Sequence, residues 1–522
     1  MPGPTVETAY GTLEGIEKRG VRSFRGIPYA APPVGRLRFA PPETPAPWTG
    51  VREATTYGPA AAQNDSPLMS LLGDGDAAAE GGKTATSEAD ALTLNVFTPA
   101  TDGAARPVLV WLHGGAYLIG MGSTPWYDGT NLARDRDVVV VTINYRLGSL
   151  GFLHLGGLGG EAFAGSANCG TLDQVAALRW VQDNIAAFGG DPGNVTVFGE
   201  SAGGMSVGTL LGMPAARGLF HRAIPQSGAC GHVHDAETAE AVAREMLDAL
   251  DIPVERVAEI RDVPLDRLLR AQAAVAMRHF TLPGLSMPFQ PAVDGVTLPE
   301  QPIAAIRAGA AADVPVLTGT TLQEMNLWLA FDPRVSELDQ AGLHERIGRV
   351  LPEADAGDVE ALYRKRLGDE ASPGQVLVAI MTDAVFRVPA MRLLEAQAPH
   401  QADTYSYIFC YSTPVFGGVL GASHALELTF MFDNLDAPGA GLFVGEPDAD
   451  MRALARAMGD AWCAFARSGV PAADGLPSWP RWDADRRATM RLAPGASEVI
   501  EDPFADERPL WDGYDGHVGI EA

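Results

Sequence analysis

The sequence predicts an α/β architecture, a large and mostly parallel central sheet with helices on both faces. Short apolar runs bounded by turn residues recur along the 522 residues. They are continuous rather than alternating, the pattern of strands buried on both faces. Helical patterns lie between them, and strands alternating with helices build a parallel sheet. With 46% hydrophobic and 20% charged residues, the composition is that of an ordinary globular chain.

The predicted strands, in order, are Pro107 to Leu112, Val138 to Ile143, Val195 to Phe198, Val314 to Leu317 and Tyr405 to Phe409. The clearest helix runs from Thr171 to Phe188, with Leu178, Val181, Ile185 and Phe188 at three- and four-residue steps. Thr171 followed by Gln174 predicts a capping box, and Gly189 stands where a C-terminal cap belongs. A late helix from Met451 to Ser468 repeats the pattern with Leu454, Met458, Trp462 and Phe465. The Ala/Gly-rich stretch 72–86 reads as a mobile loop, and no internal repeat is visible. Length alone favours more than one domain, but no linker separates the strands. A single domain over residues 1–522, carrying long insertions, is therefore expected.

A net charge of -27, from 65 acidic and 38 basic residues, argues against nucleic acid or an anionic membrane as partner, since both reward clustered Lys and Arg. The start, MPGPTVETAYGTLEG, has no basic n-region and no apolar h-region, and no run reaches the roughly 18 apolar residues of a membrane span. A cytoplasmic location and a monomer or weak homo-oligomer are the expectations. Cys169, Cys230, Cys410 and Cys463 show no CxxC spacing and read as free thiols.

The chemistry begins at Asn194-Val-Thr-Val-Phe-Gly-Glu-Ser-Ala-Gly203, which passes from a predicted strand through a GxSxG pattern into a helix. In that context the glycines let strand and helix approach at a strained turn, which pushes the Ser201 hydroxyl out as a nucleophile. The bare pattern is not specific. Gly204-Met-Ser-Val-Gly208 matches it too, but Ser206 has no strand before it and reads as structural. Upstream, Trp111-Leu-His-Gly-Gly-Ala-Tyr117 follows another strand. Alone it would read as a simple turn; beside the elbow, the N–H groups of Gly115, Ala116 and Ala202 are natural donors to an oxyanion.

In a fold of this kind the acid and the histidine follow the serine in sequence. That order removes His113 and His154. Among the later histidines, His424 lies in Gly421-Ala-Ser-His-Ala-Leu-Glu427, a loop after the strand ending near Phe409. Glu324 follows the strand ending at Leu317 and could orient the imidazole, but position alone leaves Asp294 and Asp383 open as the acid. His232, His234 and Asp235 invite a metal reading; with no further ligand cluster they read as a polar loop.

These segments resemble the type B carboxylesterases, a family that includes the cholinesterases and bacterial p-nitrobenzyl esterases. The similarity extends from Phe24-Arg-Gly-Ile-Pro-Tyr-Ala30 through Leu94-Asn-Val96, His113-Gly-Gly-Ala116, Asn144-Tyr-Arg-Leu-Gly148, Phe188-Gly-Gly-Asp-Pro192 and Gly199-Glu-Ser-Ala-Gly-Gly204 to the Trp462 to Gly469 stretch. It implies an α/β-hydrolase fold with long insertions forming an active-site gorge, and no cofactor or metal. The resemblance also implies Ser201 as nucleophile, His424 as base and Glu324 as acid, so it is what raises Glu324 above its rivals. The oxyanion donors it implies are Gly115, Ala116 and Ala202.

Departures from the family pattern leave the substrate open. The common first disulfide would join positions occupied here by Ala61 and Ala91, which fits an intracellular bacterial esterase rather than a cholinesterase. The acid stands in Gln323-Glu324-Met325 instead of Asp-Glu-Gly, and Ala425 replaces the glycine after the histidine. The Gly-Gly-Ala turn implies short-chain, aryl or benzyl esters as small-molecule substrates. Tyr117, Met205 and Trp328 neighbour the catalytic positions and either line the pocket or pack in the core. The base must be neutral, so activity should rise with pH through a histidine pKa near 6.5 if unshifted. A specialised hydrolase of carbamates, lactones, polyester fragments or a natural-product ester is the alternative. A non-catalytic protein of this fold is disfavoured because Ser201 and His424 are both present. A peptidase or amidase is also disfavoured, and matched ester and amide substrates decide between the two.

Overall fold

The structure, a computed structural model, describes residues 3–66, 85–279 and 287–514. Its centre is an eleven-stranded sheet. In chain order the strands are β1 (Ile16–Lys18), β2 (Val21–Pro28), β3 (Thr93–Thr98), β4 (Arg106–Leu112), β5 (Val139–Ile143) and β6 (Gly190–Glu200). They continue with β7 (Arg222–Gln226), β8 (Val316–Thr321), β9 (Thr404–Phe409), β10 (Thr489–Leu492) and β11 (Glu498–Ile500). Across the sheet the order is β11-β10-β9-β8-β7-β6-β4-β5-β3-β2-β1. From β10 to β5 neighbouring strands are parallel; β3, β2, β1 and β11 pair antiparallel at the margins.

The helices that matter for the site are α1 (Cys169–Asn184), α2 (Ala202–Gly212), α3 (Gln340–Val350), α4 (Ala356–Leu367), α5 (Pro373–Thr382), α6 (Val388–Gln397) and α7 (Ala449–Ser468). Strand side chains alternate between faces. Val108, Val110, Val139, Val141 and Val197 point one way, against Leu178, Val181 and Ile185. Leu109, Trp111, Val140 and Phe198 point the other way, against Leu454, Met458, Trp462 and Phe465 of α7. Both faces are thus covered, which is why these strands read as unbroken apolar runs. Each fully buried Val, Leu or Phe contributes roughly 1.5–3 kcal/mol, so the central strands form a rigid base for the loops at their C-terminal ends.

The five predicted strands are present, with Val314 to Leu317 displaced to Val316–Thr321. The flanking strands β1, β2, β3, β10 and β11 and the inner strand β7 escaped prediction. β7 reads Arg-Ala-Ile-Pro-Gln, with charge and proline diluting its apolar signal. The capping box at Thr171 is not formed. A 3-10 turn, Ser166–Asn168, leads straight into α1, so Thr171 lies inside the helix, and Gln174 turns its amide to Ser206 instead. Gly189 does end this segment, in the left-handed conformation at φ 80°. Of the Ala/Gly-rich stretch 72–86, residues up to 84 lie outside the described residues; Thr86–Ser87 pairs with Ala60–Ala61 as a short ladder. The four cysteines are free, and only Cys410 is not fully buried. Among the described residues no helix is long and apolar enough to cross a membrane.

Candidate active site

Parallel strands end on one side of a sheet. β4 therefore delivers the segment His113 to Tyr117, β6 delivers Ser201, β8 delivers Glu324 and β9 leads to the His424 loop, all at the same rim.

Ser201 stands between the last residue of β6 and the first of α2, at φ 57° and ψ -128°. A non-glycine residue held there costs of order 1–3 kcal/mol, so its surroundings must enforce it. Ser201 N donates to Gln226 O of β7 at 3.0 Å. A Cβ on Gly199 would lie 2.6 Å from Gly203 O, and one on Gly203 2.0 Å from Leu112 O. The pattern's glycines are therefore required by close backbone approach. Ser206 has no such setting: it is fully buried within α2, where its hydroxyl accepts from Gln174 Nε2 at 2.9 Å and lies 3.5 Å from the Tyr117 hydroxyl.

Beside the elbow, Gly115, Ala116 and Tyr117 all have positive φ, at 111°, 54° and 58°. Four hydrogen bonds hold this strained run. Leu118 N and Ile119 N donate to Gly115 O, Gly148 N donates to Tyr117 O at 2.6 Å, and the Tyr145 hydroxyl donates to His113 O at 2.7 Å. A Cβ on Gly114 would come within 3.0 Å of Ser201 Cβ, so loop and elbow touch. Ala202 opens α2, where backbone N–H groups have no partner within the helix. His113 is stacked on Tyr145 at 4.5 Å, and burial lowers its pKa to about 4.

Glu324 is fully buried. Its Oε1 accepts from Thr321 N at 2.7 Å and its Oε2 lies 2.6 Å from His424 Nδ1. His424 N donates to Glu324 O at 3.3 Å, so backbone and side chain both join the two loops. The rival acids are engaged elsewhere. Asp294 accepts from Val296 N, Thr297 N and Leu298 N in its own turn, and Asp383 binds Arg387 and the Tyr363 hydroxyl.

Two further carboxylates escaped the sequence reading. Glu200, the residue before Ser201, is buried with Oε1 2.9 Å from His424 Nε2, and Glu427 is fully buried nearby. Glu200 stood in plain view inside the GxSxG pattern, but the pattern assigns that position no role. Burial by itself lowers the His424 pKa, but the charges of Glu200 and Glu324 outweigh it and hold the imidazole well above 6.5. Burial, then the charges of Glu200 and Glu324, push the Glu427 carboxyl well above the usual range.

The His424 ring is packed by Trp328 and by Phe386, each with its centroid at 4.8 Å. Trp328 is half-buried, whereas Met205 and Tyr117 are buried, Tyr117 lying against Phe152 at 4.8 Å. His234 is occupied by Met287 O and Gln290, and Asp235 caps the helix Ala236–Ala249. Among the described residues no group of three or more His, Cys, Asp or Glu is arranged to hold a metal ion.

Known proteins resemble this chain over nearly its whole length. A sequence profile of the carboxylesterase family matches residues 2–511. The para-nitrobenzyl esterase of Bacillus subtilis is 40% identical over 514 residues, covering 97% of this chain and 98% of that protein. The phenmedipham hydrolase of Pseudarthrobacter oxydans is 38% identical over 505 residues, covering 96% and 97%. Among solved structures, a Geobacillus stearothermophilus carboxylesterase at pH 6.2 superposes with a TM-score of 0.86 at 45% identity, covering 97% of this chain and 99% of that one. Likeness of this extent, end to end in both sequence and fold, means that the chain belongs to the carboxylesterase family and is a serine carboxylic-ester hydrolase of the α/β-hydrolase fold.

Proposed function

We propose that Ser201, His424 and Glu324 are the nucleophile, general base and orienting acid of this esterase, and that the N–H groups of Gly115, Ala116 and Ala202 form its oxyanion hole. The observation that carries this reading is the 2.6 Å contact between Glu324 Oε2 and His424 Nδ1, at the rim where the strained Ser201 emerges. With Nδ1 engaged by the acid, Nε2, which lies 2.9 Å from Glu200 Oε1, is the nitrogen that takes the Ser201 proton as the hydroxyl attacks the ester carbonyl. Negative charge then develops on the former carbonyl oxygen, where fixed backbone donors cost no reorganisation. The alcohol leaves with the proton carried by His424. Water activated by the same imidazole then hydrolyses the acyl-enzyme.

The substrates are short-chain, aryl or benzyl esters; the likeness to a para-nitrobenzyl esterase supports this class. We further read residues 1–522 as one catalytic domain acting in the cytoplasm as a monomer or weak homo-oligomer. In support, the central sheet draws its strands from Ile16 to Ile500.

Hydrolysis of p-nitrophenyl acetate, butyrate and octanoate by wild type, Ser201→Ala and Ser206→Ala tests the assignment. Loss of the nucleophile should lower turnover by up to about a millionfold, with Ser206→Ala retaining most of it. Turnover by Ser201→Ala at the wild-type rate would refute the reading.

A further inference from the structure

We propose that the turn from Thr382 to Arg387 is a clamp that positions the acid and the base: Thr382 and Arg387 hold the backbone on the two sides of Glu324, while Phe386 packs the His424 ring. The three are positioning residues; none is assigned a contact with the reacting atoms. The proposal rests on the assignment of Glu324 and His424 as acid and base.

α5 ends at Thr382, and the next five residues, Asp383–Arg387, form a π-helical turn before α6 begins. A π turn adds a residue to the helix and so re-aims the side chains around it, an arrangement that is frequent at functional sites. Here three of those side chains converge on the catalytic rim. Thr382 Oγ1 accepts from Met325 N at 3.2 Å, immediately after the acid. Arg387 Nη2 donates to Leu322 O at 3.0 Å, two residues before it. Phe386 lies with its centroid 4.8 Å from the His424 ring and stacks on Trp328 at 5.9 Å and 9°.

The clamp is itself anchored. Asp383 pairs with Arg387 across one turn and accepts from the Tyr363 hydroxyl at 2.6 Å, while the Arg387 guanidinium lies 3.8 Å from the centre of the Phe504 ring. Thr382, Asp383 and Phe386 are buried, so the turn is a fixed part of the interior. Its consequence follows from distance. The acid acts through a 2.6 Å contact, and Glu324 stands three residues beyond β8, after Leu322 N and Gln323 N have donated to Phe409 O and Ala422 O, each at 2.9 Å. Displacing such a group by about 1 Å can cost a hundredfold in rate. Fixing the main chain both before and after the acid restrains its slide along the loop, and the aromatic pair restrains the tilt of the imidazole it must meet.

The test compares wild type, Thr382→Val, Thr382→Ser and Arg387→Lys on p-nitrophenyl butyrate across pH, with thermal melting of each. Thr382→Val keeps shape and removes the acceptor; Arg387→Lys keeps the charge and loses the fork. Both should lower kcat by about tenfold or more with KM within about threefold. Both should also move the rising limb of kcat/KM down by about half a unit, because a loosened carboxylate stabilises the imidazolium less. Thr382→Ser, which restores the acceptor, should retain the wild-type profile. Well-folded Thr382→Val and Arg387→Lys with wild-type kcat and limb would overturn the clamp. So would a loss of activity that only follows the loss of melting temperature while the limb stays fixed. If Arg387→Lys does not fold, the Thr382 pair decides alone. Failure of the underlying reading looks different: wild type would be inert, or Ser201→Ala would match it.

Discussion

Replacing Glu200 by Gln removes one charge 2.9 Å from His424 Nε2 and leaves size and shape almost unchanged. At an effective dielectric constant of 20, unit charges at that distance attract by about 6 kcal/mol, an upper figure from which burial of both groups subtracts. A residue of only about 1.4 kcal/mol is enough to move a pKa by a full unit. The direction is fixed by the chemistry. His424 is held well above 6.5, and a base must be neutral, so the rising limb of kcat/KM for p-nitrophenyl butyrate should lie above that value in wild type. In Glu200→Gln it should lie at lower pH. Stability should move with it. A histidine whose folded pKa is raised contributes stability that is fully present below its unfolded pKa of about 6.5 and lost as pH rises through the folded value. Melting temperature should therefore fall across that window in wild type, and less steeply in Glu200→Gln. An unmoved limb in a folded, active Glu200→Gln would refute the electrostatic account. The 2.9 Å contact would then be a packing neighbour and the shift would belong to Glu324 alone.

Two further substitutions probe the scaffold. Gly203→Ala places a Cβ 2.0 Å from the backbone oxygen of Leu112, which no side-chain movement can relieve, so the elbow must shift away from β4. Its kcat should fall by about a hundredfold or more, and full activity in the purified variant would contradict the close approach. Asp173→Ala strands Arg146, whose Nη2 lies 2.7 Å from Asp173 Oδ1 in a fully buried pair. Equilibrium denaturation should show a loss of about 3–5 kcal/mol; a loss under 1 kcal/mol would mean that water reaches the pair.

What the sequence reveals of this site is set by how local each signal is. The turn at Ser201 was legible because strand, glycine turn and helix are contiguous, and the same locality places Ser206 inside the helix rather than at a turn. The interior strands were legible because burial on both faces leaves an unbroken apolar run, and β7 was missed because Pro225 breaks it and Arg222 and Gln226 bound an apolar stretch of only Ala223 and Ile224. Glu324 was not separable from Asp294 and Asp383 by position. Only the contact with His424, a hundred residues further along the chain, distinguishes it in the fold. The capping box at Thr171 shows the opposite error: a short pattern with the right spacing lost to a tertiary demand, the hydrogen bond from Gln174 to Ser206. Glu200 was hidden for a different reason. Its neighbour supplied so complete an explanation of the motif that the carboxylate went unread, yet it faces the far nitrogen of the imidazole from the one held by Glu324. The clamp residues lie still further from view. Thr382, Phe386 and Arg387 carry no motif, and what makes them meet is a single extra residue in a helical turn. Hydrophobic periodicity averages over several turns and is blind to such an insertion, so the features that orient the chemistry are the ones that a sequence pattern records least.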